Sequence, residues 1–523
     1  PVGLSVMATL FSANSFLMVP GETFRHNLLL AAAYVGVLCT TPIVMRWFIP
    51  IYVGSGCFTA YELLEKRFDV RVRLFAAFLF ILLRTGWMAA ATFSCSLAVA
   101  VISGTDLYLT IWVMGLATTI YTVTGGIKAV MWNDVLQFGI FTVAIVSAVW
   151  IAVSNVPGGW SGTWASYEAA GKFRLVDPRL DLSLRMGTWA LLIGNFVENL
   201  SAYATDQSLV QRYLTATSLP VCRRAFIANM AGVVTVIPGL MILGVALSGF
   251  YRAHPRQLAD APIEYFLRKP ADLKKAPALA EAMAARHQIS PEEWARRAAA
   301  DPAMLRQDLA ARYEADPTLA EKDLGQVDRQ DEVMPLFIRR QMPRGLVGLV
   351  IAALLAATMS SIAGGIHSIA TSLIVDVKGR LFGRTSDPDS SDEVPFIRIL
   401  TLLLGIGATG LACVVNRLGP VFDMTKKLNG WLSGPLLAVF TLAFFVPRAR
   451  ALPVLIAAVL GVSLSAWLTS LSQMQRLPVW LTSTGTISPM WFCVVGCLAT
   501  LAMGYLGSLL MRPAAQAAPA KTD

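Results

Sequence analysis

Charge and histidine are scarce in this chain. Of its 523 residues only 15% are Asp, Glu, Lys or Arg, whereas 55% are hydrophobic and mean hydropathy is +0.59. That balance excludes a set of soluble domains and belongs to a polytopic, all-α membrane protein. The four histidines have no ligand spacing with one another. The seven cysteines (39, 57, 95, 222, 413, 493 and 497) are scattered, mostly in apolar stretches, and read as small hydrophobic residues. Neither a disulfide framework nor a transition-metal centre is expected. HExxH, GxSxG and Walker A patterns are also missing, so nothing points to a membrane enzyme or an ATP-driven pump.

What the chain has instead is apolar runs near the bilayer-spanning length of about 20 residues. Twelve fall at roughly 3–21, 27–47, 75–101, 106–125, 131–153, 186–206, 222–250, 343–375, 396–415, 427–446, 452–471 and 488–511. The net charge of +10 is no nucleic-acid signal, because its short-loop share is confined to alternate loops. These hold Lys66, Arg67, Arg71 and Arg73, then Arg212, Arg223 and Arg224, then Lys378, Arg380 and Arg384, then Arg448 and Arg450. By the positive-inside rule that face is cytoplasmic, and the nearly uncharged linkers near 102–108 and 416–422 lie outside. The chain opens at Pro1 directly on a helix, so a preceding helix is expected to be missing.

Residues 251–342 are the one large polar excursion. Ser290-Pro291-Glu292-Glu293 has the form of a capping box with proline at the first helical position, so a small helical cap domain is expected there. The topology puts it outside, as a decoration in preference to a lid. The chain thus divides into 1–250 (core helices one to seven), the insert 251–342, 343–446 (core helices eight to ten), two additional helices over 447–511, and a polar tail over 512–523.

Three segments place polar groups at membrane depth. In YTVTGGIKAVMWNDVLQ (Tyr121–Gln137) the Gly125-Gly126 pair ends one helix, and the next carries Asp134 about two turns in. A lone charge there costs roughly 2.5–3.5 kcal/mol, so it is expected to face a cavity, an ion or a partner, the alternative being a place at the interface. Two helices read as broken. One carries Thr9, Ser12, Asn14 and Ser15 and ends in Pro20-Gly21; the other packs Gly194, Asn195, Glu198, Asn199, Ser201 and Asp206 into an apolar run. Each opens a run of five spans, the pattern of an alternating-access site whose freed backbone groups serve as ligands. The third segment, Ala356–Ser361 (AATMSS), supplies adjacent hydroxyls suited to a hard cation, although such residues also serve ordinary helix packing.

Taken in order, VMATLFSANSFLMVPGE, FTAYELLEKRF, TGGIKAVMWNDVLQ, ATDQSLVQRYL and GLVGLVIAALLAATMSSIAGGIHSIAT resemble the sodium:solute symporters, carriers of sugars, monocarboxylates, iodide, vitamins, proline and similar solutes. The likeness covers most of the chain; the insert and the last two helices add little. It implies the LeuT-like fold of two inverted five-helix repeats in a membrane, with Na+ as coupling ion between core helices one and eight. Carried over by position, backbone carbonyls of Ala8 and Phe11 and oxygens of Ala357, Ser360 and Ser361 would hold the ion. Asp134, on core helix five, would lie near it and its exit route.

The same resemblance implies a solute site lined by Asn14 and Ser15, by Asn199, Ser201 and Tyr203, and by core helix ten around Lys426. Where the family's sugar carriers have an acid on core helix two and a glutamine on core helix ten, this chain has Tyr34 and Lys426, and Ala202 stands at the place of their aromatic inner gate. Those departures disfavour a sugar site of that type. Arg84 and Lys426 are cations in or beside spans, and an arginine there suits a carboxylate solute. The alternative pairs Arg84 with Glu198 or a helix end and lets Lys426-Lys427 snorkel to an interface. The expectation is therefore a sodium-coupled importer of a small organic solute, monocarboxylate-like or sugar-like, in the inner membrane of a bacterium. The other reading is a membrane sensor that retains the transporter fold, against which counts the lack of a signalling domain after Arg512.

Overall fold

A computed structural model of the chain describes residues 13–124, 127–214, 218–268, 273, 277–316, 319–320, 322–323, 330–381, 394–415, 421–475, 477, 482 and 484–511. Among these residues there is no strand. The first repeat comprises α1 (Ala13–Arg25), α2 (Leu30–Ile43, continued by a π turn at Val44–Phe48 to Val53), the short α3 (Ala60–Arg67), α4 (Val70–Ser103), α5 (Leu107–Thr124) and α6 (Ile127–Ser154). The expected break at Gly125-Gly126 falls between α5 and α6, on residues outside those described. Past α6 the chain turns by 83° into α7 (Gly159–Ala169).

The second repeat opens with α8 (Thr188–Thr205) and α9 (Gln207–Leu214), then α10 (Leu219–Ala253). The insert follows as α11 (Pro255–Arg268), α12 (Pro277–His287), α13 (Pro291–Ala300) and α14 (Pro302–Ala315), closed by α15 (Val333–Gln341). Then come α16 (Arg344–Ser372, with a π turn at Leu373–Lys378), α17 (Val394–Val415), α18 (Val421–Phe445), α19 (Ala451–Gln473) and α20 (Met490–Leu510).

Eight of these helices, or nine counting the bent pair, pass a length-and-hydropathy test for crossing a membrane among the described residues. The expected twelve includes shorter cases. The described part of α1 has 13 residues, the apolar stretch of α5 runs only from Leu107 to Val123, and α8 is diluted by Asn195, Glu198 and Asn199. One expectation is corrected: α1 does not end at Pro20-Gly21 but continues to Arg25 with Pro20 inside it. Close contact holds it there, because a Cβ on Gly244 of α10 would lie 2.7 Å from the Pro20 carbonyl oxygen.

The two repeats meet in a reciprocal contact. A Cβ on Gly115 of α5 would lie 2.1 Å from Thr409 Oγ1 of α17, and one on Gly405 of α17 would lie 2.2 Å from Thr119 Oγ1 of α5. Fourth helix thus packs on ninth, glycine to threonine in both directions, as a pseudo-two-fold between inverted repeats requires. The additional helices also pack closely on the core. A Cβ on Gly434 of α18 would sit 2.1 Å from the Cys493 carbonyl oxygen of α20, and one on Gly194 of α8 would sit 2.7 Å from that of Met490.

The basic loops converge on one face. Arg67 donates to the carbonyl oxygens of Ala443, Val446 and Pro447, next to Arg448 and Arg450. Arg223 donates to Met45 O, and Arg380 Nε lies 3.0 Å from Glu65. Arg73 Nε donates to Asp376 Oδ1 at 2.8 Å; that carboxylate also accepts from Thr59 Oγ1 and Ser372 Oγ, each at 2.7 Å. The insert lies on the opposite face, where Trp294, Leu279, Leu305 and Leu309 are buried and continue the hydrophobic core of the bundle. Ser290 accepts from Glu293 N at 3.2 Å with Pro291 at the first position, as the sequence predicts. Its last helix contacts the bundle: Arg339 donates to Val101 O at the end of α4, and Phe337 stacks edge-on with Phe250 and Tyr251 of α10.

Candidate ion and solute site

The break between α8 and α9 is real and falls at Asp206, whose backbone is extended. Breaking a helix frees carbonyls, and here two of them find tyrosines: Tyr52 OH donates to Ala204 O, and Tyr61 OH donates to Thr205 O at 3.0 Å. Asp206 itself caps α9, its Oδ1 accepting from Ser208 N at 2.8 Å.

Two cations lie in the bundle beside this broken span. Lys426 of α18 is buried, and its Nζ donates to Glu198 Oε2 at 2.7 Å and to Asn195 Oδ1 at 2.8 Å. Asn429 Nδ2 donates to the other Glu198 oxygen at 2.6 Å. Lys426 therefore does not snorkel to an interface, and Glu198 belongs to it and not to Arg84. Arg84 of α4 lies over the Trp87 ring at 4.3 Å and has a looser set of partners. Its Nη1 is 3.7 Å from Asp206 Oδ2, its Nη2 donates to Ser361 O at 3.4 Å, and its Nε has no partner among the described residues. Gly365 of α16 makes the room, since a Cβ there would lie 3.0 Å from Arg84 Nε and 2.7 Å from Met88 Sδ. A buried neutral donor left unpaired costs about 1–3 kcal/mol and a charged one more, so the hydrogen-bonding capacity of this guanidinium is incompletely met.

The remaining expected residues divide. Ala357, Ser360 and Ser361 are buried on α16, supplying neutral oxygens next to the helix of Arg84. Ala8 and Phe11 lie outside the described residues; Asp134 falls in α6, but its side chain is outside them too. Asn14 is buried on α1 with no partner for Oδ1 among the described residues, and Ser15 is half-buried beside it. Asn199 Nδ2 donates to Asn195 O at 2.9 Å. Ser201 Oγ donates to Ser433 O of α18 at 2.7 Å, while Tyr203 OH takes Asn229 Nδ2 of α10 at 3.3 Å. Those two side chains thus fasten α8 to α18 on one side and to α10 on another. Tyr34 is half-buried on α2, whose Gly36 abuts the Leu192 carbonyl of α8. Asp206, Asn195 and Asn429 were not singled out as site residues from sequence; Asp206 carried the usable signal, a charge inside an apolar run.

Comparison with known proteins gives one consistent result. The model of the sodium:solute symporter family matches residues 1–264 and 314–461. A sodium/sialic acid symporter of Aliivibrio fischeri is 25% identical over 96% of this chain and 84% of its own length. The sodium-coupled monocarboxylate transporter 2 of Mus musculus is 24% identical over 98% of this chain and 77% of its own. Among solved structures, a substrate-bound, outward-open Na+-coupled sialic acid symporter superposes with a TM-score of 0.73 at 24% identity, covering 98% of this chain and 90% of that one. The family model leaves out 462–523 and an internal segment, 265–313, that is narrower than the insert read from composition, 251–342.

Proposed function

Since the chain belongs to the sodium:solute symporter family, we propose that it imports a small organic solute bearing a carboxylate, coupled to Na+ and by alternating access. The observation that carries this is Arg84, buried at the core with an unpartnered Nε and a loose ion pair. A carboxylate matches a guanidinium in charge and in planar, two-point geometry. The solutes named for the similar proteins, sialic acid and monocarboxylates, share that group. Lys426 and Glu198 neutralise one another beside the same broken span.

In this reading Ala8, Phe11, Ala357, Ser360 and Ser361 hold the ion and Asp134 guides its exit. Arg84 and Asn14 contact the solute, with Ser15, Tyr34, Asn199 and Lys426 around it, while Ser201 and Tyr203 position α8. Arg84 touching Ser361 O gives the ion and solute sites one shared residue, a physical route for coupling. The basic-loop face is cytoplasmic, the insert faces outward, and the membrane is the bacterial inner membrane. One elementary charge crossing about 100 mV then supplies roughly 2.3 kcal/mol of drive.

A thermal-shift screen of purified protein against carboxylates and neutral sugars, in sodium and in choline chloride, tests this. Sodium-dependent stabilisation by a carboxylate, lost in Arg84→Gln, is expected. Stabilisation by a neutral sugar alone would break the carboxylate assignment, and indifference to sodium would break the coupling.

A further inference from the structure

On the insert face, three elements meet at one guanidinium. Arg185, in the segment before α8, donates from Nη1 and Nη2 to Glu22 Oε2 and Oε1 of α1 at 3.0 and 2.8 Å. Its Nε donates to Asp423 Oδ1 and Oδ2, in the first turn of α18, at 3.0 and 3.3 Å, and Nη2 lies 2.9 Å from Oδ1. His26 Nε2 stands 3.1 Å from Arg185 Nη1. The backbone of this segment is held from a fourth direction: Ser488, leading into α20, donates from N to Leu182 O at 2.8 Å and from Oγ to Arg185 O at 2.9 Å. Arg185 is thus fixed at its root to the closely packed α20, while its head joins α1 to α18.

The cluster lies between the candidate solute site and the insert face. Asp423 precedes Lys426 by three residues, about one helical turn, and Glu22 follows Asn14 by eight, about 12 Å along α1. Asn14 lies on α1 and Lys426 on α18, and the guanidinium spans these two helices on the insert-face side of both. Glu22 is 1% exposed, whereas Arg185 is 29% and Asp423 20% exposed. Both carboxylates meet two guanidinium nitrogens, so the difference lies in depth: the Glu22 pair is sealed from water, whereas Asp423 is partly exposed and is the side that can exchange its contact for water.

We propose that Arg185 is a gating residue of the transport cycle: it stays on Glu22 and closes the mouth of the site by capturing Asp423. This rests on the solute site lying between α1 and α18 as proposed above, but not on sodium coupling or on the identity of the solute.

The test reads access to α1. In full-length protein with its seven native cysteines replaced, Ser15→Cys is labelled in proteoliposomes by a membrane-impermeant maleimide. The reagent is added in whichever compartment the exposed Glu292→Cys reacts, so the side of the insert is measured and not assumed. Arg185→Gln and, independently, Asp423→Asn are each expected to accelerate labelling about tenfold. Ala457→Cys, buried between α19 and α20, is expected to stay unreactive in both, which separates an opened gate from a loosened fold. Because Asp423→Asn leaves the Arg185–Glu22 pair intact, it provides a second reading should Arg185→Gln fail to fold. Unchanged labelling of Ser15→Cys in the folded variants, or equal acceleration at Ala457→Cys, overturns the proposal. Uptake measured on the same variants is a separate reading: loss of sodium dependence with accelerated labelling would break the proposed coupling and leave the gate standing.

Discussion

On the basic-loop face the closing carboxylate, Asp376, is 0% exposed and is held by donors from the α3 cap, the start of α4 and its own helix. On the insert face the joining group is Arg185, nearly a third exposed, with one carboxylate in the dry and one in the wet. The two faces use the same pairing chemistry at different depths. A buried charge stripped of its partner leaves the other uncompensated, whereas a wet pair exchanges protein contacts for water at little cost. In the described conformation the basic-loop closure is therefore part of the folded core, and the insert-face closure is a contact that can cycle.

The largest effect that can break this comparison is at Asp376. Asp376→Ala leaves Arg73, buried between α4 and the end of α16, with Glu65 as its remaining carboxylate. It is expected to cost about 3 kcal/mol, measured by denaturant or thermal unfolding in detergent, whereas Asp423→Asn is expected to cost under about 1 kcal/mol. Equal losses at the two sites would mean that both closures are structural.

Next in size is the Lys426–Glu198 pair, which lies between the two closures. Lys426→Met leaves Glu198 with Asn429 as its remaining donor and is expected to destabilise by about 2 kcal/mol; adding Glu198→Gln is expected to recover about half. A double variant no better than the single would show that the pair is not closed in the resting protein. Smaller is the effect of Gly365→Ala, whose methyl group would press on Met88 Sδ and Arg84 Nε. It is expected to weaken sodium-dependent carboxylate binding about tenfold, read as a shift in the midpoint of the thermal titration, with little change in unfolding without solute. A loss of stability as large as that of Asp376→Ala would instead make Gly365 a packing position alone.

Much of the fold was legible because membrane depth makes every polar residue conspicuous. The broken span at Asp206 and the hydroxyls of α16 stand out against apolar surroundings. Helix continuity was less legible: Pro20-Gly21 has the local chemistry of a stop, yet tertiary contact with Gly244 carries α1 past it to Arg25. Least legible were the partners. Sequence located Arg84, Lys426, Glu198 and Asp206, but which cation meets which acid depends on how α8 turns against α4 and α18. The Arg185 cluster was invisible for a different reason, since its members sit at element ends where charge is ordinary and only their convergence is informative.

The smallest expected effect concerns His26, on the loop after α1 and 30% exposed beside the wetter closure. Burial disfavours its imidazolium and lowers its pKa to about 4; Glu22 acts in the opposite direction, while Arg185, Arg25 and Lys172 add to the lowering. A histidine with a depressed folded-state pKa binds its proton more readily when unfolded. Its contribution to stability is therefore present in full above the unfolded value of about 6.5 and is lost as pH falls toward 4. The insert-face contact should accordingly loosen on acidification through that window. Comparison of melting temperatures of the parent and His26→Gln between pH 7 and pH 4.5 should show a shallower acid slope in the variant, by about 1–3 °C over the range. Parallel slopes would mean that acid acts on carboxylates elsewhere and that His26 is a bystander to the contact it touches.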